Sequence, residues 1–208
     1  MDSQEINKFI KENVDKIYDE MVKVRRTIHE NPELGDEEFE TSKLIKRFFT
    51  ENGIEFFEVI NTGVVATIYN DKENMENKTV ATRADIDALP IFEENDVDYK
   101  SKNTGKMHAC GHDAHTTIQL GVAKVLAENK DKWHGTARFF FQPAEETSGG
   151  SDRMIKAGAL EFEKEKDRKI DAFFALHMAP EIELGKIGIK YGKAHASSAR
   201  IHLTINGT

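Results

Sequence analysis

Apolar residues Ile6, Phe9, Ile10, Ile17, Met21, Val24 and Ile28 recur at intervals of three and four, the spacing that gathers side chains on one helix face. The pattern predicts a long amphipathic helix with Ser3 as its N-cap, ending before Asn31-Pro32. Asp36-Glu37-Glu38 opens a second helix through Leu44, Ile45, Phe48 and Phe49, and Gly53 stands where a left-handed residue would stop it. The period then changes. Residues 54–60 and 64–69 read as β-strands separated by the turn Asn61-Thr62-Gly63, and residues 71–78 as a polar loop. A short strand of buried type over 79–85 runs into Asp85, Asp87 and Pro90. Helical spacing returns over 118–128, and a β-rich run over 136–141 stops at Pro143 and is followed at once by Glu145-Glu146. Gly149-Gly150 leads into a short helix ending at Gly158, the charged run 161–169 reads as a solvated loop, and the apolar strand 171–176 runs into His177. Strands alternating with helices imply an α/β fold with a largely parallel mixed sheet flanked by helices.

In open α/β sheets ligands bind beyond the carboxyl ends of the strands. Asp85, Glu145-Glu146 and His177 each follow such an end. A further stretch, MHACGHDAH at 107–115, sets His108, His112 and His115 beside a carboxylate and the only cysteine, Cys110, at the entrance to a helix. In a turning segment Cys110 and His112 can lean to one side, with Gly111 relaxing the backbone between them. A thiol just before a helix is expected to have its pKa lowered by the helix dipole. Alone, Glu145-Glu146 would read as a solvated acidic turn and His177 as a core histidine; their shared sheet edge favours a metal site. Thiolate, imidazole and carboxylate together suit a borderline ion such as zinc, with manganese, cobalt or nickel as alternatives. A second glutamate beside a liganding one suggests hydrolysis, because it can take a proton from activated water. Asp85 could orient a liganding imidazole.

The 208 residues carry 29 Lys and Arg against 37 Asp and Glu, a net charge of -8, with no basic stripe to neutralise phosphates. A nucleic-acid partner is therefore not expected. A single cysteine cannot form an internal disulfide, which suits a reducing cytoplasm. With no basic start followed by an apolar run, and no window near the roughly 18 apolar residues of a membrane span, a cytoplasmic protein without a membrane partner is the expectation.

The segments RRTIHENPELGDEE (25–38), ATRADIDALPIFEE (81–94), MHACGHDAHT (107–116), FFFQPAEETSGGSDRMI (139–155) and ALHMAP (175–180) closely resemble successive motifs of the aminoacylase-like metal-dependent amidohydrolases. That group of the zinc-peptidase superfamily includes hippurate hydrolase, hydrolases of indoleacetyl-amino acids and N-acetyl-diaminopimelate deacetylase. The resemblance implies two divalent metal ions, bridged by Cys110, with His112 and Glu146 as further ligands and His177 completing one site. It implies Glu145 as general base, and cleavage of N-acyl amino acids to a carboxylate and a free amino acid by hydroxide held between the ions; Asp85 is counted with Glu145 as an expected catalytic residue. His29 lies in the first motif with a structural role expected.

Family members are nearly twice as long. Residues 185–191 resemble a further catalytic-domain strand, 194–198 the crossing, and 200–206 the first strand of an inserted α+β lid. The expected division is a catalytic domain over 1–194 and the beginning of a lid and dimerisation domain over 195–208. The expectation is a truncated product, lacking the last histidine ligand and the surface through which the intact protein would dimerise. Two alternatives stay open: a metal-binding but inactive fragment, and a metallo-exopeptidase acting on dipeptides.

Overall fold

Asp2, not Ser3, caps the first helix. Its carboxylate accepts from the N–H groups of Gln4 (2.8 Å) and Glu5 (2.9 Å), and Glu5 reaches back to the Asp2 N–H, closing a capping box that starts the helix one residue earlier in register. The computed structural model describes residues 2–70, 78–147, 149–162, 168–192 and 203–205. In chain order these form α1 (Ser3–Glu30), α2 (Phe39–Glu51), β1 (Glu55–Val59), β2 (Gly63–Asn70), β3 (Thr79–Asp85), α3 (His112–Glu128), β4 (Gly135–Gln142), α4 (Gly150–Lys156) and β5 (Ala172–Ala175).

The strands lie in the order β1-β2-β4-β3-β5. β1 and β4 each run antiparallel to β2, while β3 runs parallel to both β4 and β5, so β2 alone is reversed and the sheet is largely parallel as expected. Strand alternation gives each face its own core. Val64, Ala66 and Ile68 of β2 face the same way as Phe141, Phe139 and Ala137 of β4, and together they pack under Ile45, Phe48 and Phe49 of α2 and Leu120 and Ala123 of α3. Val65, Ala81 and Phe140 point the other way, onto Met154 of α4 and Ala159. α1 lies against α3, where Gly121 leaves room for Met21 and Ile17. At the end of α2, Gly53 takes the left-handed conformation (φ 63°) and Ile54 N–H returns to Phe49 O at 2.9 Å, the stop its position predicted.

Two expectations change. Helix α3 begins at His112, six residues before its apolar spacing becomes visible, because the first turn buries His112, Asp113, His115 and Thr116 in place of hydrophobic side chains. Residues 185–191 do not form a strand: Ile187 and Ile189 alternate as a strand would, but no neighbouring strand is there to bond them among the described residues, and both side chains are exposed. Of the expected lid strand only 203–205 are described, and they are not in a strand; residues 71–77, 148, 163–167 and 194–198 lie outside the described residues. The chain divides into two compact units, Met1–Met178 and Ala179–Thr208. No helix among the described residues is long and apolar enough to cross a membrane.

Candidate metal centre

The turn after β4 is built to carry two glutamates inward. Ala144 adopts a left-handed conformation (φ 51°), costly for a residue with a Cβ, and its N–H donates to Glu38 Oε1 at 2.8 Å. The other oxygen of this fully buried carboxylate accepts from Thr62 Oγ1 at 2.7 Å, and burial raises the Glu38 pKa. Gly150 closes the turn where a Cβ would stand 1.7 Å from Pro143 O. Glu145 and Glu146 therefore follow a fixed corner, and the Glu146 N–H donates to Asp87 Oδ2 at 2.9 Å.

Asp87 also fixes the imidazole of His112. Gly111, left-handed at φ 86°, swings the chain into α3, and His112 Nδ1 donates to the Asp87 carbonyl oxygen at 2.8 Å with Asp87 Oδ1 at 3.2 Å. A carbonyl oxygen only accepts, so the proton is on Nδ1 and the Nε2 lone pair is free to bind. That nitrogen is buried with no hydrogen-bond partner among the described residues, 3.5 Å from Asp85 Oδ2 and 3.9 Å from Glu146 Oε1. Burial opposes a charge on His112, but Asp87 and Asp85 outweigh it and raise the pKa, so the surroundings call for positive charge at this ring.

Cys110 Sγ lies 3.4 Å from His177 Nε2. The expectation of a lowered thiol pKa is overturned: burial first, then the carboxylates of Glu146, Asp85 and Glu145, push it up to about 12. Acidic neighbours at close range outweigh one helix terminus. Donor atoms of Cys110, His112 and His177 lie within 4.8 Å of one another, as do those of His112, Glu145 and Glu146, and those of Asp85, His112 and His115. The structure thus brings Asp85, Cys110, Glu145, Glu146 and His177 together around His112. Thiol, imidazoles and surplus carboxylates gathered about an unpartnered ring nitrogen fit a divalent cation.

Asp85 holds a different imidazole from the one that Asp87 holds. Its Oδ1 accepts from His115 Nδ1 at 2.6 Å and its Oδ2 from Arg83 at 2.6 Å, so it holds His115 directly while Asp87 holds His112. Burial would raise the Asp85 pKa, but His115, Arg83 and His112 together bring it down to about 2. Asp87 and His115 are noted from the sequence without a role for either. For His115 a signal existed, since it lies three residues from His112 on one helix and shares its face. His108 is buried with neither ring nitrogen hydrogen-bonded among the described residues, and burial lowers its pKa to about 4, leaving it neutral.

His29 is structural, as expected, and ties three segments together. Its Nδ1 meets Asp113 Oδ2 at 2.7 Å and its Nε2 meets Glu93 Oε1 at 2.9 Å, while Arg25 Nε shares the same Asp113 oxygen at 2.7 Å. Both ring nitrogens donate to carboxylates, so the hydrogen bond to Asp113 raises the His29 pKa despite burial, and the ring is an imidazolium.

Comparison with known proteins gives the family to which these strands and turns belong. The chain is 44% identical over 191 residues to IAA-amino acid hydrolase ILR1-like 5 of Arabidopsis thaliana, covering 91% of this chain and 41% of that protein. It is 41% identical over 189 residues to N-acetylcysteine deacetylase of Bacillus subtilis (strain 168), covering 90% of this chain and 47% of that one. The crystal structure of the Bacillus subtilis YXEP protein, described as a dinuclear metal binding peptidase from the M20 family, superposes with a TM-score of 0.76 at 40% identity, over 85% of this chain and 47% of that one. The chain therefore spans less than half the length of these relatives. Residues 81–206, which include most of β3, all of α3, the Pro143–Gly150 turn and His177, match the model of one family, so the chain belongs to peptidase family M20/M25/M40.

Proposed function

We propose that this chain carries the metal-binding part of a hydrolase that cleaves the amide bond of N-acyl amino acids, releasing a carboxylate and a free amino acid. The observation that carries the proposal is the buried Nε2 of His112, unpartnered among the described residues and facing thiol and carboxylates at the strand ends. The names of the relatives that act on indoleacetyl and N-acetyl amino acids support the substrate class. Cys110, His112, Glu146 and His177 would hold two divalent ions, zinc or manganese by donor type. Bound there, the ions would supply Lewis acidity to polarise an amide carbonyl and acidify water. Glu145, exposed at the site and beside Glu146, accepts a proton from water and returns it to the departing amine nitrogen. Asp87 keeps the His112 proton on Nδ1, so that Nε2 stays available as a lone pair. The intact protein is proposed to be a cytoplasmic homodimer.

The test is hydrolysis of a panel of N-acetyl and N-benzoyl amino acids by the full-length protein, before and after chelation. Chelator-sensitive turnover that falls at least about a hundredfold in Glu145→Gln is expected. Turnover indifferent to chelation, or an undiminished variant, excludes the proposal, and preference for free dipeptides would move the substrate class to that of an exopeptidase.

One observation favours a second reading, metal binding without turnover. β5 bonds β3 on one side and has no strand on the other among the described residues, and its Phe173 and Phe174 are exposed. Metal uptake by this 208-residue chain without hydrolysis of the panel would select it.

A further inference from the structure

β5 ends at Ala175, whose partner across the ladder is Arg83. His177 and Met178 thus lie beyond the last sheet contact, and His177 is exposed. Something other than the sheet must hold them if His177 is to face Cys110.

The structure supplies a relay from the floor of the site. Arg83 donates to Asp85 Oδ2 (2.6 Å) and to Gln142 Oε1 (2.8 Å), which fixes the Asp85 carboxylate at the end of β3. Asp85 Oδ1 accepts from His115 Nδ1 at 2.6 Å. A carboxylate accepts, so the His115 proton is on Nδ1 and its Nε2 carries a lone pair. That lone pair accepts the Met178 N–H at 2.8 Å. On the far side of the same residue, His177 Nδ1 donates to Met178 O at 2.7 Å, which turns Nε2 toward Cys110 Sγ. The His115 and His177 rings meet edge to face, centroids 4.7 Å apart. Both His115 nitrogens are engaged, one as donor and one as acceptor, so His115 has no lone pair left for a metal although it lies among candidate ligands.

We propose that His115, held by Asp85, is the positioning residue for His177, and that it acts through the Met178 N–H without binding metal itself. The proposal rests on His177 being a ligand, as put forward above. It assigns Asp85 to an imidazole one step removed from the ion, and it gives a reason for two histidines three residues apart on α3: His112 presents a lone pair to the metal, and His115 presents one to the backbone.

The two amide side chains separate the two nitrogens of His115. In His115→Asn the amide nitrogen replaces Nδ1 and keeps the bond to Asp85, but nothing reaches Met178. In His115→Gln the amide oxygen replaces Nε2 and keeps the acceptor for the Met178 N–H. Met178→Pro deletes that N–H while leaving His115 intact, and decides the matter should His115→Asn fail to fold. Cobalt(II) affinity, measured by competition with a chromogenic chelator, and the visible absorption of the bound cobalt are read on the 208-residue chain, with thermal unfolding as the check on folding. Affinity is expected to fall about 10- to 100-fold in His115→Asn and in Met178→Pro, with an altered cobalt spectrum, and to stay within about threefold in His115→Gln. Adding His177→Ala to His115→Asn should cost nothing further. Equal losses in the Asn and Gln variants, or no loss in Asn and Pro, overturn the relay. Cobalt binding that is unaffected by His177→Ala alone overturns the ligand role on which it rests, and a wild-type chain that binds no cobalt overturns both.

Discussion

Asp87 has more to do than any other residue of the site. One carboxylate oxygen and the main-chain carbonyl hold His112 Nδ1, and the other oxygen holds the Glu146 N–H, so a single side chain sets the direction of two proposed ligands from different parts of the chain. Outer partners of metal-binding imidazoles typically contribute one to two orders of magnitude in affinity. Asp87→Ala is therefore expected to weaken zinc binding about 10- to 100-fold. Competition titration with a chromogenic chelator measures it, and an affinity equal to that of wild type would remove Asp87 from this role. The sequence shows Asp85 and Asp87 as equals, because the rule that alternate residues share a face lapses once β3 ends at Asp85. Only the folded chain distinguishes them, giving His115 to one and His112 to the other.

Among the elements, α1 and α3 are joined at their ends by charge as well as by packing. The His29 imidazolium bridges Asp113 in the first turn of α3 and Glu93 in the segment before it. The His29 pKa is raised, so its contribution is fully present below its ordinary value near 6.5 and is lost as pH climbs through the raised one. Glu93 is held at about 2, against burial, by His29 and by the Ser101 N–H, and Asp113 is lowered as well; their contribution is present above the ordinary carboxylate range and disappears as pH falls toward 2. The bridge is complete between those limits. His29→Gln should destabilise the fold there by on the order of 3 kcal/mol, since it takes the imidazolium from both buried carboxylates and leaves Asp113 with Arg25 alone. The difference in Tm between wild type and variant should shrink on both sides of that window. A difference independent of pH would mean that packing, not charge, is what His29 contributes.

The element scale also shows what a sequence can carry. α2 is visible in its spacing because it presents one apolar face to a core, α1 because Ile17, Met21 and Val24 do the same along its second half, and β2 and β4 because they present apolar residues to both cores. Ile45 of α2 is wholly buried there, and Ile45→Ala is expected to cost about 2–5 kcal/mol, read as a lower urea midpoint at unchanged slope. The start of α3 is hidden for the opposite reason: its inward residues are polar and serve the site, so hydrophobic spacing passes over them. The alternation at Ile187 and Ile189 is a true strand pattern without a strand, because pairing depends on a neighbour that a local pattern does not contain.

At the scale of the whole molecule, the proposed ligands come from three separated stretches: the entrance to α3, the turn after β4 and the segment after β5. Nothing local brings them together; the sheet does, by ending β3, β4 and β5 on one edge. Burial and the carboxylates of Glu146, Asp85 and Glu145 push the Cys110 thiol up to about 12, so holding a thiolate at this edge carries an electrostatic cost in the metal-free chain. A cation that binds the folded arrangement and not the unfolded chain relieves that cost and raises stability by mass action, about 2.7 kcal/mol at a hundredfold excess over its Kd. For a chain of this size, each kcal/mol moves Tm by about 2–4 °C, so zinc or manganese at that excess is expected to raise it by about 5–10 °C. A strong chelator should reverse the shift. Cys110→Ser combined with His177→Ala should abolish most of it, because the three stretches would no longer be tied through one centre. A Tm indifferent to both metals, or a shift that survives in the double variant, would show that the edge holds its acids apart without an ion and that any bound metal sits elsewhere.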